Sequence, residues 1–160
     1  TGLPWQKAET SASEHRYLMT VIATAADHRF RVSRVDIDRP GPTYTVDTLT
    51  DLRAHYGPDT TLRFITGADA LRDFPTWRDP GEILAQARLI AVTRPDHDID
   101  LSGLPDGAVS VVAIPALAIS ASEIRDRVRT GRPIDYLVPA GVASYVHKEG
   151  LYRGDRSGDA

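Results

Sequence analysis

Two hydroxyls and a guanidinium are crowded into Ile119-Ser120-Ala121-Ser122-Glu123-Ile124-Arg125, on what reads as the opening turn of a helix. Ser120 is placed to cap that helix and Glu123, three residues on, to complete a capping box. The first-turn amides and Arg125 would then face an anion such as a phosphate chain. A capped structural helix with a solvated arginine reads the same way locally, so this pattern alone leaves both roles open.

Three other loops carry groups of the same kind. Gly41-Pro42-Thr43-Tyr44-Thr45 offers hydroxyls and amides just ahead of a helix, either to cap it or to receive an acid or amide group. Gly67-Ala68-Asp69 follows a short apolar run; its glycine permits close backbone approach and its aspartate can accept from ribose hydroxyls or cap the next helix. Trp77, in Phe74-Pro75-Thr76-Trp77-Arg78, either anchors its loop on the core or stacks on a planar ring. Arg94 could reach a phosphate or stack on a base, and Lys7 could add a third positive centre beside Arg94 and Arg125. No Ser-His-Asp or paired-carboxylate arrangement stands out. The five histidines, His15, His28, His55, His97 and His147, read as structural or solvated. Asp96, His97, Asp98 and Asp100 lack a second histidine at ligand spacing and read as an exposed loop, so no metal-ligating residue is assigned. The inventory suits chemistry by positioning and electrostatics better than chemistry by a nucleophile.

These loops need a scaffold. Helices are expected from about Ser13 to Ala26, with Ser11 and Glu14 as a capping box, from Val46 to about His55, from Ala68 to Phe74, near Glu82 to Gln86, from Glu123 to about Thr130 and from Ala140 to Lys148. Alternation or continuous apolar character predicts strands over Phe30–Ile37, Leu62–Thr66, Leu89–Thr93 and Val109–Ile114. Strands alternating with helices predict an α/β fold, a parallel sheet with helices on both faces and a binding crevice beyond the carboxyl ends of the strands. The loops after Ile37, Thr66, Thr93 and Ile114 are the ones that such a crevice would use.

Composition narrows the class. The 160 residues are 41% hydrophobic with a formal net charge of -3, enough for one substantial core and without a basic face for nucleic-acid backbone. There is no cysteine, which excludes disulfides and thiolate metal sites. No apolar run approaches a membrane span, and no signal-like segment opens the sequence, so a cytoplasmic protein is expected. One domain over residues 1–153 and a loose polar tail over 154–160 are expected.

The ordered motifs Pro4-Trp5-Gln6-Lys7, Glu14-His15-Arg16-Tyr17-Leu18-Met19, Val35-Asp36-Ile37-Asp38-Arg39 and Gly41 to Leu49 resemble the bacterial nicotinate mononucleotide adenylyltransferases, in detail those of actinobacteria. The likeness continues through Phe64 to Asp69, Trp77, Val92 to Pro95, Ile119 to Arg125 and Leu137 to Tyr152, essentially the whole sequence but its tail. It implies a Rossmann-like nucleotidyltransferase that moves the adenylyl group of ATP, with magnesium, to nicotinate mononucleotide, giving deamido-NAD and pyrophosphate without a covalent enzyme intermediate. By the family pattern Trp77 stacks on the nicotinate ring and Thr43, Tyr44 and Thr45 receive its carboxylate. Gly67 and Asp69 contact the adenosine side, Arg94, Ser120, Ser122 and Arg125 hold ATP, and Lys7 and Arg125 are the charged groups that assist catalysis. The family usually has serine or threonine where this sequence has Ala121, so one donor is absent. The resemblance also implies a homo-oligomer.

The family opens with a strand and a glycine-rich turn whose two histidines stabilise the transferring phosphate. That turn is not among these 160 residues, so a first strand is expected to be missing from them and the polypeptide of these residues alone is expected to be inactive. The competing expectations are a related adenylyltransferase acting on another phosphate ester and a non-catalytic nucleotide-binding domain.

Overall fold

The computed structural model describes residues 11–93, 100–101, 103–115 and 118–154. The chain divides into two compact units, Asp38–Leu117 and the pair of segments Thr1–Ile37 and Ala118–Ala160.

The unit Asp38–Leu117 is built on three parallel strands, β1 (Leu62–Gly67), β2 (Ala87–Thr93) and β3 (Val109–Ala113), in the order β1-β2-β3. Leu62 pairs with Ala87 and Gly67 with Val92, while Leu89 pairs with Val109 and Thr93 with Ala113. Parallel strands need crossovers, and the sequence supplies helices for the first of them. These are α3 (Ala68–Leu71), a 3-10 turn at Phe74–Thr76 and α4 (Pro80–Gln86), with α2 (Thr45–Tyr56) preceding β1. Strand side chains alternate, so Leu62, Phe64, Leu89, Ala91 and Val109 share one face. There they form a core with Val46 and Leu49 of α2, Leu71, Phe74 and Ile83. Ile65, Ile90, Val92 and Val112 lie on the other face, where Ile65 is 64% exposed. The outer edge of β1 has no strand partner among the described residues.

The other unit packs α1 (Ser13–Thr24) against α6 (Ala140–Lys148), with α5 (Ala121–Arg129) beside them. Val128, Ile134, Val142, Ala143 and Val146 are its buried core, lined by Met19, Ile22 and Ile124. Helices α1 and α6 approach closely because Gly141 has no side chain. A Cβ there would stand 2.7 Å from Ile22 Cγ2. His15 Nδ1 and Tyr145 OH share a hydrogen bond at 2.8 Å, and Ser11 Oγ and Tyr152 OH another at 3.0 Å.

The expected α/β class and the parallel sheet are observed, and most helix bounds agree within two residues. Three local expectations are corrected. Phe30–Ile37 alternates but is not a strand: no ladder pairs with it among the described residues, the Ser33 hydroxyl takes the Val35 amide at 3.2 Å, and the Ile37 amide turns back to the Arg34 carbonyl at 2.8 Å. Alternation supplies a face, whereas a strand exists only through a partner. Ser11 and Glu14 do not cap α1, whose N-cap is Ala12; the tyrosine hydroxyl of Tyr152 holds Ser11, and Arg34 holds Glu14. The helix expected over Ala68–Phe74 stops at Leu71: Pro75 has no N–H to offer the Leu71 carbonyl four residues back and its ring would crowd it, and the chain passes into the 3-10 turn instead.

Candidate functional site

Helix α5 begins as its sequence dictates. Ser120 is the N-cap, with extended backbone, and its Oγ accepts the Glu123 amide at 3.1 Å. The box is not reciprocal, because Glu123 Oε1 accepts Arg127 Nε at 3.1 Å instead of returning to Ser120. Ser122 Oγ accepts Arg125 Nη2 at 3.2 Å, so hydroxyl and guanidinium stand together one turn into the helix. Ser120, Ala121 and Ser122 are exposed and Arg125 is half-buried. The Ala121 and Ser122 amides fall outside the intrahelical ladder, as the first amides of any helix do, and carry the positive end of the helix dipole. Hydroxyls, amides and a guanidinium around one exposed turn form a donor set for an anion.

In the unit Asp38–Leu117 the expected residues gather around the carboxyl end of β1 and the start of α2. Gly67 ends β1 with φ -65° and ψ 143°, a conformation open to any residue, and a Cβ there would meet nothing within 4 Å. Neither backbone nor packing requires glycine, and the missing side chain leaves the strand's end open to a ligand. Asp69 lies exposed in the first turn of α3.

Trp77 is half-buried. Its ring meets Phe64 edge-on, with centroids 5.9 Å apart at 87°, and Phe74 at 5.3 Å and 49°. These rings anchor the indole on the core and fix its orientation, so the two roles open in the sequence are compatible here. Tyr44 is the N-cap residue of α2, and Thr48 donates both its amide, at 3.1 Å, and its hydroxyl, at 3.2 Å, to the Tyr44 carbonyl. Tyr44 and Trp77 pack against the same core cluster. Thr43, Tyr44 and Thr45 are each half-buried.

Sequence reasoning missed Arg78. Its guanidinium carbon lies 4.8 Å from the centroid of the Tyr44 ring, and its Nη1 lies 3.6 Å from Asp47 Oδ2. No periodicity marks a loop arginine, and the only available signal was its position beside Trp77. Lys7, Arg94, Asp96, His97 and Asp98 lie outside the described residues. Among the described residues no group of three or more His, Cys, Asp or Glu could hold a metal ion, and no helix is long and apolar enough to cross a membrane.

A cytidylyltransferase-like family model matches residues 4–127. A probable nicotinate-nucleotide adenylyltransferase of Streptomyces coelicolor is 58% identical over 157 residues, which span 97% of this chain and 83% of that protein. The one of Leifsonia xyli is 56% identical over 153 residues, 96% of this chain and 76% of that protein. Among solved structures, Plasmodium falciparum nicotinic acid mononucleotide adenylyltransferase complexed with NaAD superposes with a TM-score of 0.70 at 21% identity, covering 91% of this chain and 78% of that one. The same enzyme complexed with APC gives 0.69 at 22% identity, covering 89% and 76%. The structural likeness establishes the Rossmann-like nucleotidyltransferase fold. With the family model spanning most of the sequence and actinobacterial relatives more than half identical along nearly all of it, the chain belongs to the cytidylyltransferase-like family, among its nicotinate-nucleotide adenylyltransferases.

Proposed function

We propose that the protein transfers the adenylyl group of ATP to nicotinate mononucleotide, forming deamido-NAD and pyrophosphate. The observation that carries this reading is the exposed donor turn that opens α5, in a chain 58% identical to a probable nicotinate-nucleotide adenylyltransferase. The 5'-phosphate oxygen of the mononucleotide attacks the α-phosphorus of ATP in line. The new bond joins that oxygen to phosphorus, and the bond that breaks is the one from the α-phosphorus to the oxygen bridging to the β-phosphate. Ser120, Ser122, the first amides of α5 and Arg125 hold the phosphates, and Arg125 balances charge on the departing pyrophosphate. Lys7 and Arg94 add positive charge on the ATP side.

Gly67 admits the adenosine to the end of β1, and Asp69 accepts from its ribose. Trp77 provides a platform for the nicotinate ring, while Thr43, Tyr44 and Thr45 receive its carboxylate. The donor set on α5 suits an anion, so magnesium would be held by the phosphate oxygens of ATP and would help neutralise charge on the departing pyrophosphate. The enzyme acts in the cytoplasm.

Pyrophosphate release with ATP, magnesium and either nicotinate or nicotinamide mononucleotide tests the reading, using this polypeptide beside one extended by the native N-terminal segment. Turnover by the longer protein, mainly with nicotinate mononucleotide, is expected. A folded longer protein inert toward both mononucleotides would overturn the assignment.

A further inference from the structure

The loop that carries Trp77 is held at three successive residues. The Trp77 ring rests on Phe64 and Phe74, and its amide donates to the Phe74 carbonyl at 3.0 Å. Asp79 adopts φ 48° and ψ 58°, the left-handed region uncommon for a residue with a Cβ, and Pro80 then opens α4. Between these two points Arg78 reaches the start of α2. Its guanidinium lies over the Tyr44 ring, Nη1 lies 3.6 Å from Asp47 Oδ2, and Nε lies 3.6 Å from Asp79 Oδ2.

The Arg78 side chain is 53% exposed, so its ion pairs are partly screened and their strength alone does not explain the arrangement. Direction does. A planar guanidinium can lie over a phenol ring while its N–H groups face a carboxylate, a combination that fixes both position and tilt. One side chain thereby ties the Trp77 loop to the residues that open α2.

We propose that Arg78 is a positioning residue for the aromatic end of the mononucleotide. It holds the Trp77 platform in register with the Thr43-Tyr44-Thr45 turn, so that a pyridine ring and the carboxylate on it are met together. The proposal rests on the reading of Trp77 and Thr43 to Thr45 as mononucleotide contacts, and it assigns Arg78 no part in holding ATP.

The test is steady-state kinetics of the full natural enzyme with magnesium, varying ATP and nicotinate mononucleotide separately, for the wild type, R78A, R78K and W77A. R78A is expected to raise KM for nicotinate mononucleotide about tenfold, in keeping with the loss of a cation–aromatic contact and its ion pair, while KM for ATP stays within about twofold. R78K, which keeps the charge but not the planar stack, is expected to fall between R78A and the wild type. An unchanged mononucleotide KM in R78A, or equal rises in both KM values, overturns the proposal. W77A separates the two levels of inference. If W77A raises the mononucleotide KM and R78A does not, only the role of Arg78 fails; if W77A leaves it unmoved, the ring-platform reading fails and Arg78 with it.

Discussion

Ser120 Oγ accepts the Glu123 amide at 3.1 Å, so the residue proposed to meet phosphate also holds the first turn of α5. The two duties can be separated by substitution. S120D keeps a side-chain acceptor at the cap and places a negative charge at the positive end of the helix dipole, so its melting temperature is expected to equal or exceed the wild type's. That charge repels the triphosphate, and KM for ATP is expected to rise by about tenfold or more. S120A is expected to lose about 1 kcal/mol of stability. Calorimetry and ATP kinetics on the two variants check both halves.

Arg125 donates to the Ser122 hydroxyl from a half-buried position on α5. Its removal takes little from the fold, and R125A is expected to shift stability by no more than about 0.5 kcal/mol. The loss in kcat/KM for ATP is expected to be about a hundredfold, as for other donors aimed at charge that develops in the transition state. Equal melting curves with unequal turnover are the signature; equal turnover would remove Arg125 from the catalytic reading.

Gly67 provides the opposite test, an addition instead of a removal. Alanine fits its backbone angles and meets no atom within 4 Å, so G67A is expected to fold at least as stably as the wild type, by up to about 1 kcal/mol. The added methyl group occupies the approach to the end of β1, and weaker nucleotide binding by titration calorimetry is expected. Unaltered affinity would show that nothing approaches Gly67.

Arg53 is a structural counterpart to these. Its Nη1 donates to the carbonyls of Pro58, at 2.8 Å, and Thr60, and its Nη2 donates to that of Gln86, stapling the end of α2 to the entries of β1 and β2. R53A leaves three acceptors without this donor, and a loss of about 1–3 kcal/mol is expected in urea unfolding.

The acid limb of stability is expected to report arginine-paired carboxylates, Glu14 and Asp126 among them. Hydrogen bonds from Arg34 hold Glu14 below the usual glutamate value, and those from Arg129, with help from the charge of Arg132, do the same for Asp126. A carboxyl with a lower pKa folded than unfolded takes its proton more readily in the unfolded chain. Its contribution is complete above the unfolded value and is lost as pH falls through the folded one. The melting temperature is therefore expected to drop below about pH 5, and E14Q with D126N to flatten that drop, less visibly at high salt.

The sequence disclosed those parts of the fold that rest on local physics. Periodicity and the stops at Gly57 and Gly131 located α2 and α5 within two residues, and β-branched runs located β1, β2 and β3. Phe30–Ile37 was misread because alternation contains no information about a partner, and Ser11 because Tyr152, 141 residues away, claims its hydroxyl. The cap at Ser120 was legible since donor and acceptor are three residues apart. Arg78 was not, because its meaning lies in Tyr44 and Asp47, which only the folded chain brings to it.

The division of the chain into two units also orders their assembly. The segment Asp38–Leu117 is continuous, and its sheet can close through contacts between neighbours in the chain. The other unit joins two chain segments: α1 must wait for α6, and the His15–Tyr145 bond spans 130 residues. On a ribosome the middle segment emerges whole before α6 does. Collapse of that segment then shortens the loop that α1 and α6 must close, lowering its entropic cost. The helical unit that carries the turn at Ser120 is thus completed last, after the sheet.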